Sequence, residues 1–129
     1  MERVRIMALT LKKLEIDFSV CKVADLTGVD LSPEFLFIAK TDEEISVVCE
    51  SSRLPSEVLT VEHGWKALRI QGVIDFEELG VIAGLSSCIS KAKMSLFVVS
   101  TYNTDYLLVK DKNFARCVAL LESEGYLIV

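Results

Sequence analysis

The stretch Ser95-Leu96-Phe97-Val98-Val99-Ser100-Thr101-Tyr102-Asn103-Thr104-Asp105-Tyr106-Leu107-Leu108-Val109-Lys110 decides the fold. Two runs rich in β-branched and aromatic residues flank a short polar insert, Tyr102-Asn103-Thr104, which predicts a hairpin of two strands. On its C-terminal side, Asp111 can cap a helix on which Phe114, Cys117, Val118 and Leu121 fall at helical spacing. Gly125 stops that helix, and Tyr126 to Val129 reads as a final strand. On its N-terminal side, Trp65 to Gly72 alternates apolar and polar residues as a strand does. Asp75, followed three positions later by Glu78, forms a capping-box pattern that opens a helix running to about Lys93. On that helix Leu79, Ile82, Leu85 and Ile89 follow one face, while Gly80, Gly84 and Cys88 make a stripe of small residues. Two interior glycines cost about 1 kcal/mol each relative to alanine, so a close contact is expected along that stripe.

The resulting order is βαββαβ, a ferredoxin-like α+β arrangement: an antiparallel sheet of four strands with both helices on one face. The strands are apolar on both sides, so the second face is expected to be covered as well. The N-terminal half repeats the theme. Leu36-Phe37-Ile38-Ala39-Lys40-Thr41 matches Leu96-Phe97-Val98-Val99-Ser100-Thr101 at an offset of 60, and Ile45 to Cys49 supplies the second strand of that earlier hairpin. Ile16 to Val23 is a preceding strand. Between Val23 and Phe35, and again from Ser51 to Gly64 with Pro55, there is room for a short helix or a loop only. The expected organisation is a tandem of two repeats: a degenerate one over residues 1–66 and a complete one over residues 67–129.

Composition narrows the function. Hydrophobic residues make up 51% of the 129 and charged residues 26%, which suits a packed globular protein. Halves of about 60 residues are marginal alone and call for a shared core or a partner chain. The net charge is −5 with Lys and Arg scattered, so a nucleic-acid backbone would meet repulsion. No apolar run approaches the roughly 20 residues that span a bilayer, and the N-terminal stretch lacks the apolar core of a signal peptide, so the expected location is the cytoplasm. Cys21, Cys49, Cys88 and Cys117 are far apart in apolar patterns, with no Cys/His cluster, and read as reduced, mostly buried thiols rather than metal ligands. The lone His63 has no Ser or Cys at a recognisable nucleophile spacing, and no Walker loop, HExxH, GxGxxG or GxSxG is present. Neither an enzyme nor a cofactor is expected.

Several spaced motifs carry a resemblance: Trp65-x-x-Leu68-Arg69-Ile70-x-Gly72-x-x-Asp75-Phe76, Gly80-Val81-Ile82-Ala83-x-Leu85, and Phe97-x-x-Ser100-Thr101-Tyr102-x-Thr104-Asp105-Tyr106-x-Leu108-Val109. Together with Thr41-Asp42-Glu43-Glu44-x-Ser46-Val47-Val48, they resemble the small tandem ACT-domain proteins of bacteria, similar in turn to the ACT halves of the cytosolic arginine sensors. The resemblance spans residues 16 to 129. It implies a non-catalytic regulatory module that binds an amino acid or similar zwitterion at an interface between repeats or protomers, working as a homodimer. Carried onto matching positions, it implies helix-start contacts at Glu78, Leu79, Gly80, Val81 and Ile82, and hairpin contacts at Thr101, Tyr102, Asn103, Thr104 and Asp105. Thr104 stands where those sensors can carry an aromatic residue.

The chemistry of these residues is compatible with such a ligand. A helix start offers N–H groups and partial positive charge to a carboxylate, and Glu78 and Asp105 could meet an ammonium or guanidinium group. The same residues also read as structure: Asp75 and Glu78 as a helix cap, Gly80 and Gly84 as a packing contact, Asn103 and Asp105 as turn residues. Trp65 reads as a large apolar residue at the seam of the repeats. A structural, protein-interaction module that has lost its ligand is the alternative.

Overall fold

The computed structural model describes residues 9–71 and 80–129. Its strands are β1 (Thr10–Val23), β2 (Leu36–Lys40), β3 (Ile45–Glu50), β4 (Thr60–Ile70), β5 (Leu96–Ser100), β6 (Asp105–Lys110) and β7 (Leu127–Ile128). Its helices are α1 (Val81–Lys91) and α2 (Asp111–Ser123), with one 3₁₀ turn at Ser51–Arg53. The chain divides into two compact units, Ile16–Trp65 and a second that joins the described residues up to Glu15 to Lys66–Val129.

The larger unit carries the expected order β4-α1-β5-β6-α2-β7, with neighbouring strands in the sequence β7-β1-β4-β6-β5. A four-stranded ferredoxin-like sheet would set β7 beside β4; here the start of β1 stands between them. Hydrogen bonding explains the insertion. Leu127 and Val129 donate their N–H groups to the carbonyls of Leu9 and Leu11 (3.1 and 2.9 Å), Lys13 N–H donates to Val129 (2.9 Å), and Gln71 N–H donates to Thr10 (2.9 Å). The pairing of β1 with β7 is parallel. Residues up to Glu15 therefore group with the C-terminal stretch, whereas the sequence pattern sets them with the first repeat.

Leu11, Leu68, Ile70, Leu107 and Val109 line one sheet face against Val81, Leu85 and Ile89 of α1 and Cys117 and Leu121 of α2, with Met94 and Tyr126 closing the ends. Each such aliphatic side chain contributes about 1.5–3 kcal/mol on burial. Both helices thus cover the same face, as the element order requires. Ala67 and Leu108, on the opposite face by strand alternation, are buried as well.

Gly80 is the N-cap of α1, in the left-handed region at φ 86°, so the helix that begins at Val81 does not run back through Gly80. A residue at that φ cannot continue a right-handed helix, and glycine adopts it without the steric penalty of a Cβ. Gly72, Asp75, Phe76, Glu77, Glu78 and Leu79 lie outside the described residues. Gly84 is inside the helix, where a Cβ would lie 3.6 Å from the Tyr126 hydroxyl. That is ordinary contact distance and Gly84 is exposed, so the close approach expected along the small-residue stripe is not found at this glycine.

The smaller unit has strands in the order β2-β3-β1-β4. Its β2–β3 hairpin copies the β5–β6 hairpin at an offset of 60: Leu36 pairs with Cys49 as Leu96 pairs with Val109, and Lys40 with Ile45 as Ser100 with Asp105. The turns match too. Thr41 N–H donates to the Glu44 carbonyl (2.9 Å) as Thr101 N–H donates to that of Thr104 (2.8 Å). Beyond the hairpins the two stretches diverge. Asp111 opens a helix of 13 residues, whereas Ser51 opens a single 3₁₀ turn that ends at Leu54 (φ −58°, ψ 144°). The residue before a proline is pushed out of the helical region, and Pro55 comes directly after Leu54. The stretch between β1 and β2 forms no helix. Cys21, Val23, Val47 and Cys49 make this unit's own buried cluster, with Val29, Leu36, Ile45, Leu54 and Val61 around it.

Candidate functional site

The hairpin between β5 and β6 is built around two threonines. Thr101 Oγ1 donates to the Thr104 carbonyl (3.0 Å) and accepts from Thr104 N–H (3.4 Å), which fixes the turn without glycine. Thr104 is only 8% exposed, and its hydroxyl donates to the Ile70 carbonyl at 2.7 Å. Ile70 is the last residue of β4, the point from which the chain departs toward α1. The turn is thereby tied to the strand end that leads to the helix. Tyr102 (81% exposed) and Asn103 occupy the tip, and Asp105 is half-buried at the mouth of the hairpin opposite Ser100.

At the helix start, Gly80 caps α1 without a side-chain hydrogen bond, and the first turn carries no acidic residue. The leading N–H groups of a helix have no intrahelical partner, so this end presents donors and partial positive charge. Val81 turns its side chain into the core and Ile82 packs against it. Glu78 and Leu79 fall outside the described residues. On the sheet, the Arg69 guanidinium carbon lies 6.0 Å from the centre of the Tyr106 ring, within cation–π range, and Arg69 Nε donates to Gln71 (3.1 Å).

Of the described candidates, Thr104 is the one whose role the sequence does not reveal. Its hydroxyl is committed to backbone, while Gly80, Thr101, Tyr102, Asn103 and Asp105 remain at the surface or half-buried. Also unforeseen is the placement of His63. Ser19 Oγ lies 2.8 Å from His63 Nδ1 and 2.7 Å from Ser51 Oγ, although 44 and 32 residues separate them. Ser19 is fully buried, so its hydroxyl is closed to a substrate and acts as an internal tie.

Cys21, Cys49 and Cys117 are buried and Cys88 is half-buried, all as free thiols. Burial pushes the Cys49 and Cys117 thiols up to about 11, and raises those of Cys21 and Cys88. Thiols so disfavoured as thiolates make poor nucleophiles and poor metal ligands. Among the described residues, no group of three or more His, Cys, Asp or Glu is placed to hold a metal ion, and no helix is long and apolar enough to cross a membrane.

Residues 60–123, 64 of the 129, match the family model of the ACT domain, so the chain carries an ACT domain over that stretch. A protein of Agrobacterium tumefaciens of known crystal structure is 30% identical, with a TM-score of 0.83 over 95% of this chain and 92% of that one, and the two belong to one family. The human cytosolic arginine sensor for mTORC1 subunit 1 is 27% identical over 85 residues, covering 60% of this chain and 26% of that protein. The chain thus spans about a quarter of the length of the curated relatives it matches. Clostridium acetobutylicum aspartate kinase, described as an allosteric enzyme, shares the fold alone: a TM-score of 0.63 at 12% identity, over 91% of this chain and 34% of that one.

Proposed function

We propose that this chain is a non-catalytic regulatory module whose ACT domain binds a free amino acid or similar zwitterion. The observation that carries the reading is the presence, within one ACT domain, of a helix start at Gly80 that has no side-chain cap and of the Thr101–Asp105 hairpin tied to the end of β4. The helix donors suit the carboxylate of such a ligand, and Asp105 suits its ammonium group. Glu78 and Leu79 complete the helix-start contacts on this reading. The names of the aligned proteins, an arginine sensor and an allosteric aspartate kinase, belong to the same class of function.

On the same reading, residues 16–65 are a second, eroded ACT repeat that has kept its hairpin and lost its helices, and the module works in the cytoplasm as a homodimer, with a partner's ACT domain closing over the ligand. Isothermal titration calorimetry across the twenty amino acids tests the binding. At least one should bind, and Asp105→Ala should weaken it at least fivefold. Absence of heat from all twenty with a folded chain overturns the reading. Unchanged affinity in Asp105→Ala overturns the site.

A further inference from the structure

The two connecting segments of the smaller unit, residues 24–35 and 54–59, are held against each other. Ser56 N–H donates to the Gly28 carbonyl (3.3 Å), Arg53 pairs with Asp30 (2.8 Å), and Leu59 N–H donates to Lys22 (2.7 Å). A Cβ at Gly28 would meet Ser56 Oγ, so any larger residue there would make the Ser56 hydroxyl turn aside. Between them lies a pocket of 210 Å³ lined by Ala24, Asp25, Thr27, Gly28, Ser56 and Glu57. It has two carboxylates and no basic group in its wall. Asp25 Oδ1 accepts from Thr27 Oγ1 (2.6 Å) and Thr27 N–H (3.0 Å), which keeps its carboxyl below the usual range and ionised at neutral pH.

Apolar residues stand exposed on the same two segments: Leu26 and Val58, chain neighbours of the pocket residues, and further along Leu31 (73% exposed) and Leu59 (63%). Four surface aliphatics on two hydrogen-bonded segments are more than scattered apolar exposure. The charge of these segments selects the occupant. They contain Asp25, Asp30, Glu34 and Glu57, and the basic residue at their edge, Arg53, is already paired with Asp30. A second copy would bring the same acidic surface, and an anionic membrane or a nucleic acid would be repelled in the same way.

We propose that this face docks a basic, apolar segment of a partner protein. One lysine or arginine side chain enters the pocket between Asp25 and Glu57, and neighbouring apolar side chains rest on Leu26, Val58 and Leu59. Long basic side chains suit such a place because their stems pack on aliphatic surface while the charge reaches a carboxylate. The occupant differs in chemistry and place from the amino acid of the ACT site, and its recognition does not depend on that ligand.

The probe is a synthetic 16-residue amphipathic peptide of leucine and lysine, titrated into the isotope-labelled full chain and followed by amide chemical shifts and fluorescence anisotropy. The expected result is shift changes confined to residues 24–35 and 53–59. Asp25→Asn with Glu57→Gln should weaken binding at least fivefold, and Leu26→Ser with Leu59→Ser at least threefold. Asp42→Asn with Glu43→Gln removes the same charge from the exposed β2–β3 turn and should change affinity less than twofold. Equal weakening by that control pair, shift changes elsewhere, equal binding of a leucine–glutamate peptide, or no binding at all would each overturn the proposal.

Discussion

Replacing Thr104 by valine removes one hydroxyl and almost no volume, so it isolates the tie between the hairpin and the end of β4. The bond is short at 2.7 Å and its donor is 8% exposed, so water cannot take over the role. A buried hydrogen bond contributes about 1 kcal/mol net, and a buried carbonyl that loses its partner adds to the cost, up to about 3 kcal/mol. Since the Ile70 carbonyl has a second lone pair, a destabilisation of about 1–2 kcal/mol is expected. For a chain of this length that lowers Tm by roughly 4–8 °C. Urea unfolding gives the free energy, and hydrogen exchange gives the location. The Thr101 amide, bonded to the Thr104 carbonyl, should exchange faster in Thr104→Val but stay protected in Thr104→Ser, which keeps the donor. If Thr104→Val is as stable as the parent with Thr101 exchange unchanged, the tie does not hold the hairpin and the reasoning fails.

Two glycines of the α1 region should respond to alanine in opposite directions. Gly80→Ala forces a Cβ onto a residue at φ 86° and should destabilise by about 1–2 kcal/mol, even though nothing lies within 4 Å of the new methyl. Gly84→Ala puts a methyl at ordinary contact distance from Tyr126 inside a helix and should stabilise by up to about 1 kcal/mol; the reverse order in urea midpoints would refute both assignments. The thiols set a pH dependence in the alkaline range. With Cys49 and Cys117 raised from 9.0 to about 11 by burial, the folded state holds protons that the unfolded chain has released. Stability should therefore be full below pH 9 and decline as pH rises from 9 through 11. Urea midpoints across that range should fall, with a shallower slope in Cys49→Ala, and a flat profile in the parent would refute the burial argument.

The β5–β6 hairpin and helix α2 are legible in the sequence because their signals are local: β-rich runs around a polar turn, and apolar residues at helical spacing after Asp111. The matching hairpin at an offset of 60 is legible for the same reason, whereas the hydrogen bonds that close its turn come from the structure. The break at Gly80 is not legible, because a glycine at positive φ leaves no local mark in the sequence. The lack of a long helix after the earlier hairpin can be seen in Pro55, which removes the helical option from Leu54. At the candidate site, the polar and glycine residues can be named from their chemistry, but not which hydroxyl is spent internally.

By itself, then, the sequence determined the element types and their order, because alternation, helical spacing and turn chemistry act over a few residues along the chain. Only the tertiary structure decided that β1 inserts between β7 and β4, that the Thr104 hydroxyl is consumed by Ile70, and that Ser19 meets His63. Those outcomes depend on which backbone and side-chain partners come within about 3 Å after roughly 30 to 120 residues of intervening chain, and no local pattern encodes that distance.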